Sequence, residues 1–558
     1  MRHDKVVSAR NAVEFIQPHD TVFTSGFVGT GTPEALIKAL EQRYLSTDAP
    51  FDITLVFAAA PGDGASRGVN RLAHPGLIRR IIGGHWGLVP KLGALALENR
   101  VEAYNLPLGV MSQLFREIAG GRGGLLTRIG IGTFIDPRQD GGRLNARTSE
   151  ALVELVTLGG EEWLWYKPFT IDVALIRGTT ADAHGNVSME REALTLDNLA
   201  VATAARNCGG IVIAQVERLA EVDTLSPRQV EVPGILVDYV VVAAPEDHQQ
   251  TWATTYSPAF AGEVRVDLDH VEPMPLDLRK IIARRAALEL PKNGVVNLGI
   301  GMPEGVSRVA GEEGILDHIT LTAEPGVIGG MPQGGLDFGA AVNNHGLLQQ
   351  NQQFDFYDGG GLDLAVLGMA EVDAKGHVNV SKFGPKLAGV GGFVNISQSA
   401  RRVVFAGTFT AGGLKTRVSD GALQIEAEGR VVKFTESVEQ ITFNGDLAAA
   451  RGQQVLYVTE RCVLELTAKG LRLAEVAPGI DIERDILALL PFDIVVERPA
   501  LMDARIFRPE LMNLSRQFGI HTMAGKGSVV QLEARAKRRA RRSTNEMAHH
   551  ESLAVANG

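Results

Sequence analysis

Short apolar runs alternate with amphipathic segments along most of the chain. The first cycle is TVFTSGF, which is typical of a strand, then the glycine-rich turn GTGTP and the run PEALIKALEQRYL, whose proline suits the first turn of a helix. Because strands that alternate with helices form parallel sheets, the pattern predicts an α/β protein with largely parallel sheets. An amphipathic helix is also predicted over residues 1–20, with these apolar positions on one side: Val6, Val7, Ala12, Val13 and Ile16.

The pattern occurs twice, and one stretch repeats without a gap. DVAL at residue 172 matches DLAV at residue 363, and DAHGNV at residue 182 matches DAKGHV at residue 373. In each copy an apolar strand leads to a glycine turn and a second strand, as in a hairpin. The repeat predicts two homologous open α/β domains, in which a cleft between the halves is a common place for a ligand. The alternatives are a chance similarity and a duplication without a functional cleft.

The predicted boundaries follow from this repeat and from composition. The N-terminal domain covers residues 1–263 and the C-terminal domain covers residues 278–516, with a proline-containing linker at 264–277. Residues 517–558 include the strongly basic run EARAKRRARR. Such a run either binds an acidic partner or nucleic acid or forms a solvated helix end, and we expect a partly disordered tail.

Composition and charge narrow the class of protein. With 558 residues, 45% of them hydrophobic and 22% charged, the chain has the composition of a globular protein of more than one domain. The net charge of −10 argues against a nucleic-acid partner. There is no apolar run long enough to predict a membrane span, and the start lacks the apolar core of a signal peptide. Two cysteines make no disulfide framework, so we expect a cytoplasmic protein.

The stretch that points most directly to chemistry is LTAEPGVIGG, residues 321–330. The run HITLTA predicts a short buried strand that ends at Glu324, where Pro325 and Gly326 turn the chain. A carboxylate at the end of a buried strand is costly unless it has partners or a task. Glu324 is therefore either a strand-end residue that faces water or a nucleophile, with glycines that keep its approach path clear.

Other motifs have simpler explanations. GASRG at residues 64–68 fits the serine hydrolase pattern GxSxG, but its serine follows the strand by several residues and lies in a predicted loop. The glycines at 299, 301 and 305 resemble a dinucleotide fingerprint with one residue too many, which favours a packing turn or another ligand. The thirteen histidines form no close ligand pair, so no metal site is expected.

Two glycine-rich segments of the C-terminal half deserve a functional hypothesis. DFYDGGGLD at residues 355–363 could hold a ribose or a cation, although a turn before a buried strand explains it more simply. GVGGF at residues 389–393 could be a connector or an oxyanion hole. Glycines favour the second role because they leave main-chain N–H groups open to a developing negative charge.

Together these residues resemble the family I coenzyme A transferases. The segments that carry the likeness are YNLPLG, IGTFIDPRQDGGRLN, LGIGMPEGV, TAEPGVIGG, GGGLDLAVLGMAEVDAKGHVNVSKFG, GVGGFVNI and VAPGIDIERDI. They span nearly the whole chain except the basic tail. Within the family the chain is similar to the single-chain acetate/propionate type, in which two usual subunits are fused.

The resemblance implies an enzyme that moves CoA from a short-chain acyl-CoA to a small free carboxylic acid. Glu324 would be the nucleophile and would form a glutamyl-CoA thioester, while the amides of Gly392 and Phe393 would stabilise the oxyanions. The residues implied to contact the acyl group or CoA are Leu108, Gly301 and Gly391. The resemblance implies no bound cofactor or metal besides CoA as co-substrate, and a homo-oligomer, commonly a dimer or tetramer.

One position departs from the related ketoacid transferases, which carry a glutamine where this chain has Leu108. The acyl pocket should be more apolar there, which favours acetate or propionate over succinate or acetoacetate. Two other functions stay open on the sequence alone. One is an acyl-CoA hydrolase or another acyl-CoA enzyme on the same fold, and the other is an inactive CoA-binding protein.

Overall fold

The computed structural model describes residues 4–268 and 273–519. We call residues 4–263 the N-terminal half and residues 278–519 the C-terminal half. The predicted basic tail lies outside the described residues from residue 520 onward, as does the centre of the predicted linker. Each half is built around one large sheet, and the strands of these two sheets are numbered in chain order.

The sheet of the N-terminal half has seven parallel strands in the order β7-β6-β5-β1-β2-β3-β4. The strands are β1 Thr21–Thr24, β2 Ile53–Ala59, β3 Ile78–His85, β4 Glu102–Asn105, β5 Val173–Arg177, β6 Ile211–Val216 and β7 Tyr239–Val242. Every residue of β2 and of β5 is buried, as expected for parallel strands that are covered on both faces.

The sheet of the C-terminal half has ten strands in the order β11-β10-β9-β8-β12-β13-β14-β15-β16-β17. The strands are β8 Val295–Leu298, β9 Thr320–Ala323, β10 Val327–Ile328, β11 Gly346–Leu347, β12 Leu364–Gly368, β13 Arg402–Ala406, β14 Gln454–Val458, β15 Cys462–Thr467, β16 Gly470–Val476 and β17 Val495–Leu501. Its five central strands, β9 to β14 in space, are parallel, and antiparallel pairs extend the sheet on both sides. The predicted α/β class with largely parallel sheets is confirmed.

Helices connect these strands and cover the sheets. They are α1 Ala9–Val13, α2 Glu34–Thr47, α3 Pro90–Leu97, α4 Leu108–Ala119, α5 Asn198–Asn207, α6 Leu278–Ala287, α7 Glu304–Glu312, α8 Gln350–Phe356, α9 Phe393–Ser399, α10 Gly445–Ala450, α11 Ile482–Asp485 and α12 Leu514–Gln517. None of the helices in the described ranges is both long and apolar enough to cross a bilayer.

Small sheets and hairpins decorate both halves. Their strands are Leu125–Thr127, Val153–Leu158 and Glu161–Tyr166 in one sheet; Thr180–Asp182, Val187–Ser188, Arg218–Ala220 and Val230–Val232 in another; and the pairs Met331–Pro332 with Ala341–Val342, Glu371–Val372 with Val378–Asn379, Lys382–Phe383 with Lys386–Leu387, Thr410–Ala411 with Val431–Val432 and Lys415–Ser419 with Ala422–Ala427.

The repeated sequence forms the same hairpin in both halves. Ala181 pairs with Val187 in the first copy, and Val372 pairs with Val378 at the corresponding positions of the second. The turn glycines, Gly185 and Gly376, have φ values of 84° and 73°, a backbone region that favours glycine. The two halves therefore share local geometry as well as sequence, in agreement with a duplication.

The predicted helix over residues 1–20 is wrong at its start and at its end, because α1 is limited to Ala9–Val13. α1 begins only at Ala9, and Val6 is extended and forms a parallel bridge with Val240. The Val7 N–H donates to the Val240 carbonyl at 2.9 Å, and the Val240 N–H donates to the Lys5 carbonyl at 2.9 Å. Because β7 lies at the edge of the sheet, its main-chain groups offer hydrogen bonds that outweigh the local helical pattern.

The two halves share one apolar core. The described residues form three large clusters of buried side chains, and the largest contains residues of both halves, among them Phe23, Leu108 and Phe115 with Phe354 and Val394. The other two clusters belong mainly to one half each and cover the remaining faces of the sheets. The relative position of the halves is thus fixed by buried apolar contact, which lets a site be built from both.

Candidate active site

Glu324 follows directly after β9, which pairs in parallel with β8. The Gly326 N–H donates to the Ala323 carbonyl at 3.1 Å, so the chain turns immediately after the carboxylate. Gly326 has a φ of 125°, and a Cβ there would lie 2.0 Å from the Leu348 carbonyl oxygen. This glycine is therefore required by close packing of the turn, rather than by the approach path of a ligand.

The Glu324 side chain is half-buried and has a main-chain partner from residues 389–393, which we call the glycine-rich loop. Burial raises the pKa of its carboxyl from 4.5 to about 7, and a hydrogen bond donated by the Gly392 amide acts in the opposite direction. A Cβ on Gly392 would lie only 1.9 Å from Glu324 Oε2. The space beside the carboxylate thus depends on the glycine at position 392.

The segment 388–391, which precedes this amide, is bound to the N-terminal half by its main chain. The contacts are the Trp86 N–H to the Ala388 carbonyl (2.8 Å), the Gly391 N–H to the Gly84 carbonyl (2.9 Å), the Val390 N–H to Asn105 Oδ1 (2.9 Å) and the Leu108 N–H to the Gly391 carbonyl (2.9 Å). A loop of the C-terminal half is therefore positioned by the ends of β3 and β4 and by the start of α4 in the other half.

The two predicted oxyanion donors, the amides of Gly392 and Phe393, have different hydrogen-bond acceptors in this structure. The Gly392 amide bonds Glu324, whereas the Phe393 N–H donates to the Val390 carbonyl within the turn at 3.1 Å. The Phe393 ring stacks on Phe405 with centroids 5.8 Å apart. The structure brings Gly391, Gly392 and Glu324 together. The Phe393 amide is instead occupied by its hydrogen bond to the Val390 carbonyl.

Leu108 is buried beside the glycine-rich loop, whereas Gly301 lies in the open turn after β8. Leu108 is the first residue of α4, its side chain is 1% exposed, and its N–H binds the Gly391 carbonyl as described above. Gly301 has a φ of 86° and open space where a Cβ would project. Its N–H donates to Glu304 Oε1 at 2.9 Å, and the preceding Ile300 side chain is 52% exposed. The carboxyl end of β8 is thus accessible.

The corresponding edge of the N-terminal sheet is filled by its own chain. A Cβ on Gly29, in the glycine-rich turn after β1, would lie 2.4 Å from the main-chain nitrogen of Trp252. The Trp252 indole donates to the Val28 carbonyl at 3.0 Å, and the Arg67 guanidinium lies 4.3 Å from the ring centroid. Gly31, the position that corresponds to Gly301 when the Pro-Glu pairs are aligned, is also closed, because a Cβ there would lie 2.6 Å from Leu196 Cδ1. Ligands of open α/β sheets bind at the carboxyl ends of the strands, and in the described residues the turn after β1 is filled whereas the turn after β8 is open at Gly301.

Aromatic residues on α8 and in the π-helical turn that follows lie behind the strand that leads to Glu324. The Tyr357 hydroxyl donates to Thr322 Oγ1 at 2.8 Å, two residues before Glu324. The Phe354 ring lies edge-on to Tyr357, with centroids 5.8 Å apart, and its Cζ would be 3.1 Å from a Cβ on Gly392. These rings hold β9 and the glycine-rich loop at a fixed separation.

Buried carboxylates join the halves next to these rings. Asp197 accepts from Ser112 Oγ on α4 at 2.7 Å and, across the boundary, from Gln350 Nε2 on α8 at 2.6 Å, and burial raises the pKa of Asp197 to about 7. Burial also raises the pKa of Asp358 to about 6, and its carboxylate accepts from Asn395 and from Gln113 on α4. The acidic run at 355–363 therefore belongs to the contact between the halves. The sequence pointed to this run but gave no signal for its partners.

The remaining motifs do not form sites in the described part of the chain. Asp63 Oδ1 accepts the N–H groups of Ala65, Ser66 and Arg67 at 2.8–2.9 Å, so Ser66 lies in a loop and not on a strand-to-helix elbow. Within residues 4–268 and 273–519, no group of three His, Cys, Asp or Glu side chains is arranged to hold a metal ion.

Comparison with known proteins agrees with this geometry. The profile of the family described as coenzyme A transferase matches residues 6–243. The chain is 44% identical to caffeate CoA-transferase of Acetobacterium woodii, over 94% of this chain and 100% of that protein. It is also 44% identical to acetate CoA-transferase YdiF of Escherichia coli K12, over 90% and 95% of the two chains.

Solved structures extend the match to the fold. The chain is similar to crystal structures of the acyl-CoA transferase YdiF from Escherichia coli O157:H7, as the apoenzyme and as a thioester complex with CoA. The TM-scores are 0.88 and 0.87 at 42% sequence identity, and each match covers 92% of this chain and 97% of the other. The chain is therefore a CoA-transferase and belongs to the coenzyme A transferase family.

Proposed function

We propose that this enzyme moves CoA from a short-chain acyl-CoA to a free monocarboxylate through a glutamyl-CoA thioester on Glu324. The observation that carries the proposal is the contact between a half-buried carboxylate and the Gly392 amide, at the junction of the two halves. A raised pKa makes the ionised carboxylate more basic and hence a better nucleophile, provided that the pH keeps it ionised.

The reaction then runs through two balanced exchanges. A Glu324 oxygen attacks the acyl-CoA carbonyl, the C–S bond breaks, and an acyl-glutamyl anhydride and CoA thiolate result. The thiolate attacks the glutamyl carbonyl, and the first carboxylate leaves. The acceptor carboxylate attacks the glutamyl-CoA thioester, and the released thiolate attacks the acyl carbonyl of the new anhydride. The products are the new acyl-CoA and free Glu324.

Each attack passes through a tetrahedral oxyanion, which needs a donor. We assign this role to the Gly392 amide, which lies beside Glu324, and a preorganised donor of this kind contributes roughly 3–4 kcal/mol. The Phe393 amide would act as a second donor once its bond to the Val390 carbonyl lengthens. The remote parts of CoA can supply further binding energy, and we propose that CoA passes close to Gly301 and Gly391. The N–H and carbonyl of Gly391 are already bonded to Gly84 and Leu108, so its contact with CoA is one of close approach and not a new hydrogen bond.

We propose acetate or propionate as the acceptor because Leu108 makes the region next to the Gly391 carbonyl apolar. The relatives include enzymes named for acetate and for caffeate, so an aromatic acid belongs in the substrate panel. The experiment compares kcat/KM for acetate, propionate, caffeate, succinate and acetoacetate with a common acyl-CoA donor. Succinate as the best acceptor would overturn this assignment, and caffeate as the best would move it to aromatic acids.

The intermediate has its own test. The enzyme is incubated with acyl-CoA, reduced with borohydride and digested, and we expect a modified peptide that contains Glu324, absent in Glu324→Gln. Equal loss of acyl-CoA with and without acceptor would show a hydrolase, and full turnover by Glu324→Ala would remove the nucleophile from the proposal. The cytoplasmic location and the dimeric or tetrameric assembly stay predictions.

A further inference from the structure

We propose that Asn105 is a positioning residue for catalysis, because its side chain sets the place of the Gly392 amide relative to Glu324. This inference rests on the proposed function, in which that amide faces the oxyanion. Asn105 is the last residue of β4 in the N-terminal half, whereas the glycine-rich loop belongs to the C-terminal half. The proposed role is therefore a link across the boundary between the halves.

The Asn105 side chain is fully buried and uses both of its polar ends. Its Oδ1 accepts the Val390 N–H at 2.9 Å. Its Nδ2 donates to the carbonyls of Gly83, at 3.1 Å, and Gly84. The same Gly84 carbonyl also accepts the Gly391 N–H at 2.9 Å. Asn105 thus binds the loop directly through Val390 and indirectly through the carbonyl that holds Gly391.

The surroundings leave this arrangement little room to move. A Cβ on Gly84 would lie 2.2 Å from the Ala58 carbonyl oxygen, so the strand end that Asn105 grips is closely packed. Without the Asn105 side chain, the buried Val390 N–H loses its acceptor, and the loop shifts to find another. Gly392 lies two residues further along, so the shift reaches the amide that bonds Glu324.

A matched control lies within the N-terminal half. Asn70 is 1% exposed, and its Nδ2 donates to the carbonyls of Arg67 at 3.2 Å and Leu88 at 2.9 Å. Its Oδ1 accepts the Lys91 N–H at 3.3 Å. Asn70 therefore loses the same kinds of bonds on substitution as Asn105, but none of its bonds goes to the glycine-rich loop.

The experiment compares Asn105→Ala with Asn70→Ala in the full chain. We expect similar losses of thermal stability, since each variant removes one bond accepted and two donated. Only Asn105→Ala should lose kcat, by about 10- to 100-fold, with KM for acyl-CoA nearly unchanged, because misplacement by about 1 Å at a reacting centre has this size of effect. The Gly392 bond lowers the pKa of Glu324, so its loss should also move the acidic limb of kcat/KM to higher pH in Asn105→Ala alone.

Equal kcat and equal pH profiles in the two variants would overturn the inference. If Asn105→Ala does not fold, Asn105→Leu and Asn70→Leu make the same comparison, because each roughly keeps the side-chain volume and removes the acceptor and both donors without adding a charge. Thioester trapping in the wild type and in Asn70→Ala separates the two hypotheses. If no thioester is trapped in the wild type and in Asn70→Ala, the proposed function is overturned. If the thioester is trapped in both and Asn105→Ala keeps the kcat and pH profile of Asn70→Ala, only the role of Asn105 is overturned.

Discussion

The substitution Gly392→Ala tests the geometry at Glu324 with one methyl group. Gly392 has φ −81° and ψ −2°, which alanine adopts freely, so the change introduces no backbone strain. The new Cβ would lie 1.9 Å from Glu324 Oε2 and 3.1 Å from Phe354 Cζ. Carbon and oxygen atoms in contact lie about 3.3 Å apart or more, so the carboxylate oxygen must retreat by about 1.4 Å.

A displacement of this size at a reacting atom predicts a loss of about 100-fold in kcat, or about 2.7 kcal/mol in activation free energy. The same retreat weakens the hydrogen bond from the Gly392 amide. This bond lowers the pKa of Glu324, so its weakening raises that pKa. We therefore expect the acidic limb of the pH profile to move to higher pH. The assay is CoA transfer from acetyl-CoA to propionate over a range of pH, together with borohydride trapping of the thioester.

The control is Gly311→Ala on α7, where the nearest atom to a new Cβ is Leu316 Cδ1 at an ordinary 3.4 Å. This variant should keep wild-type kcat. A Gly392→Ala enzyme that keeps kcat within about threefold of wild type, and accumulates thioester at the wild-type rate, would refute the reasoning. In that case Glu324 would work in a place that the glycine-rich loop does not constrain.

Three further predictions follow from the same site. Since the pKa of Glu324 is raised to about 7, wild-type kcat/KM should fall about tenfold per unit as the pH drops below that value; a flat profile down to pH 5 would contradict this. The pKa of Glu324 in the folded protein, about 7, lies above its ordinary value of 4.5. Ionisation of this carboxylate therefore destabilises the fold progressively as the pH rises from about 4.5 to about 7. Glu324→Gln should therefore raise the free energy of unfolding at pH 8 by up to roughly 3 kcal/mol and add little at pH 4.5, as denaturant titrations can show. Leu108→Gln should shift kcat/KM toward acetoacetate or succinate relative to propionate by about tenfold, at a stability cost of about 1–3 kcal/mol for burying the amide; an unchanged ratio would remove Leu108 from the acyl pocket.

Much of the fold follows from local sequence patterns. The helix after Pro33 and the strand before Glu324 were predicted from periodicity, and both are present as α2 and β9. The repeat predicted a second copy of the hairpin at the correct positions. The miss at residues 1–20 has a physical cause, because the pairing of Val6 with Val240 depends on a strand far along the chain.

The candidate site was predictable only in part. Residue types and glycine spacing pointed to Glu324 and to the loop at 389–393, since each combines chemistry with a local turn signal. Asn105 and Asp197 carry no such signal, because their importance arises from hydrogen bonds between segments that are distant in sequence. The same limit applies to the Phe393 amide, whose bond to the Val390 carbonyl depends on how the loop closes.

The turn after β1 is filled by Trp252 at Gly29 and by Leu196 at Gly31, whereas the turn after β8 is open at Gly301. A duplicated chain with two vacant crevices could load two equivalents of thiol ester. On the proposed mechanism the thioester forms on Glu324 in the C-terminal half, so we expect complete loading to correspond to one equivalent of CoA per polypeptide. On the same proposal, the N-terminal copy contributes to each turnover through the hydrogen bonds by which it holds residues 388–391 of the C-terminal copy.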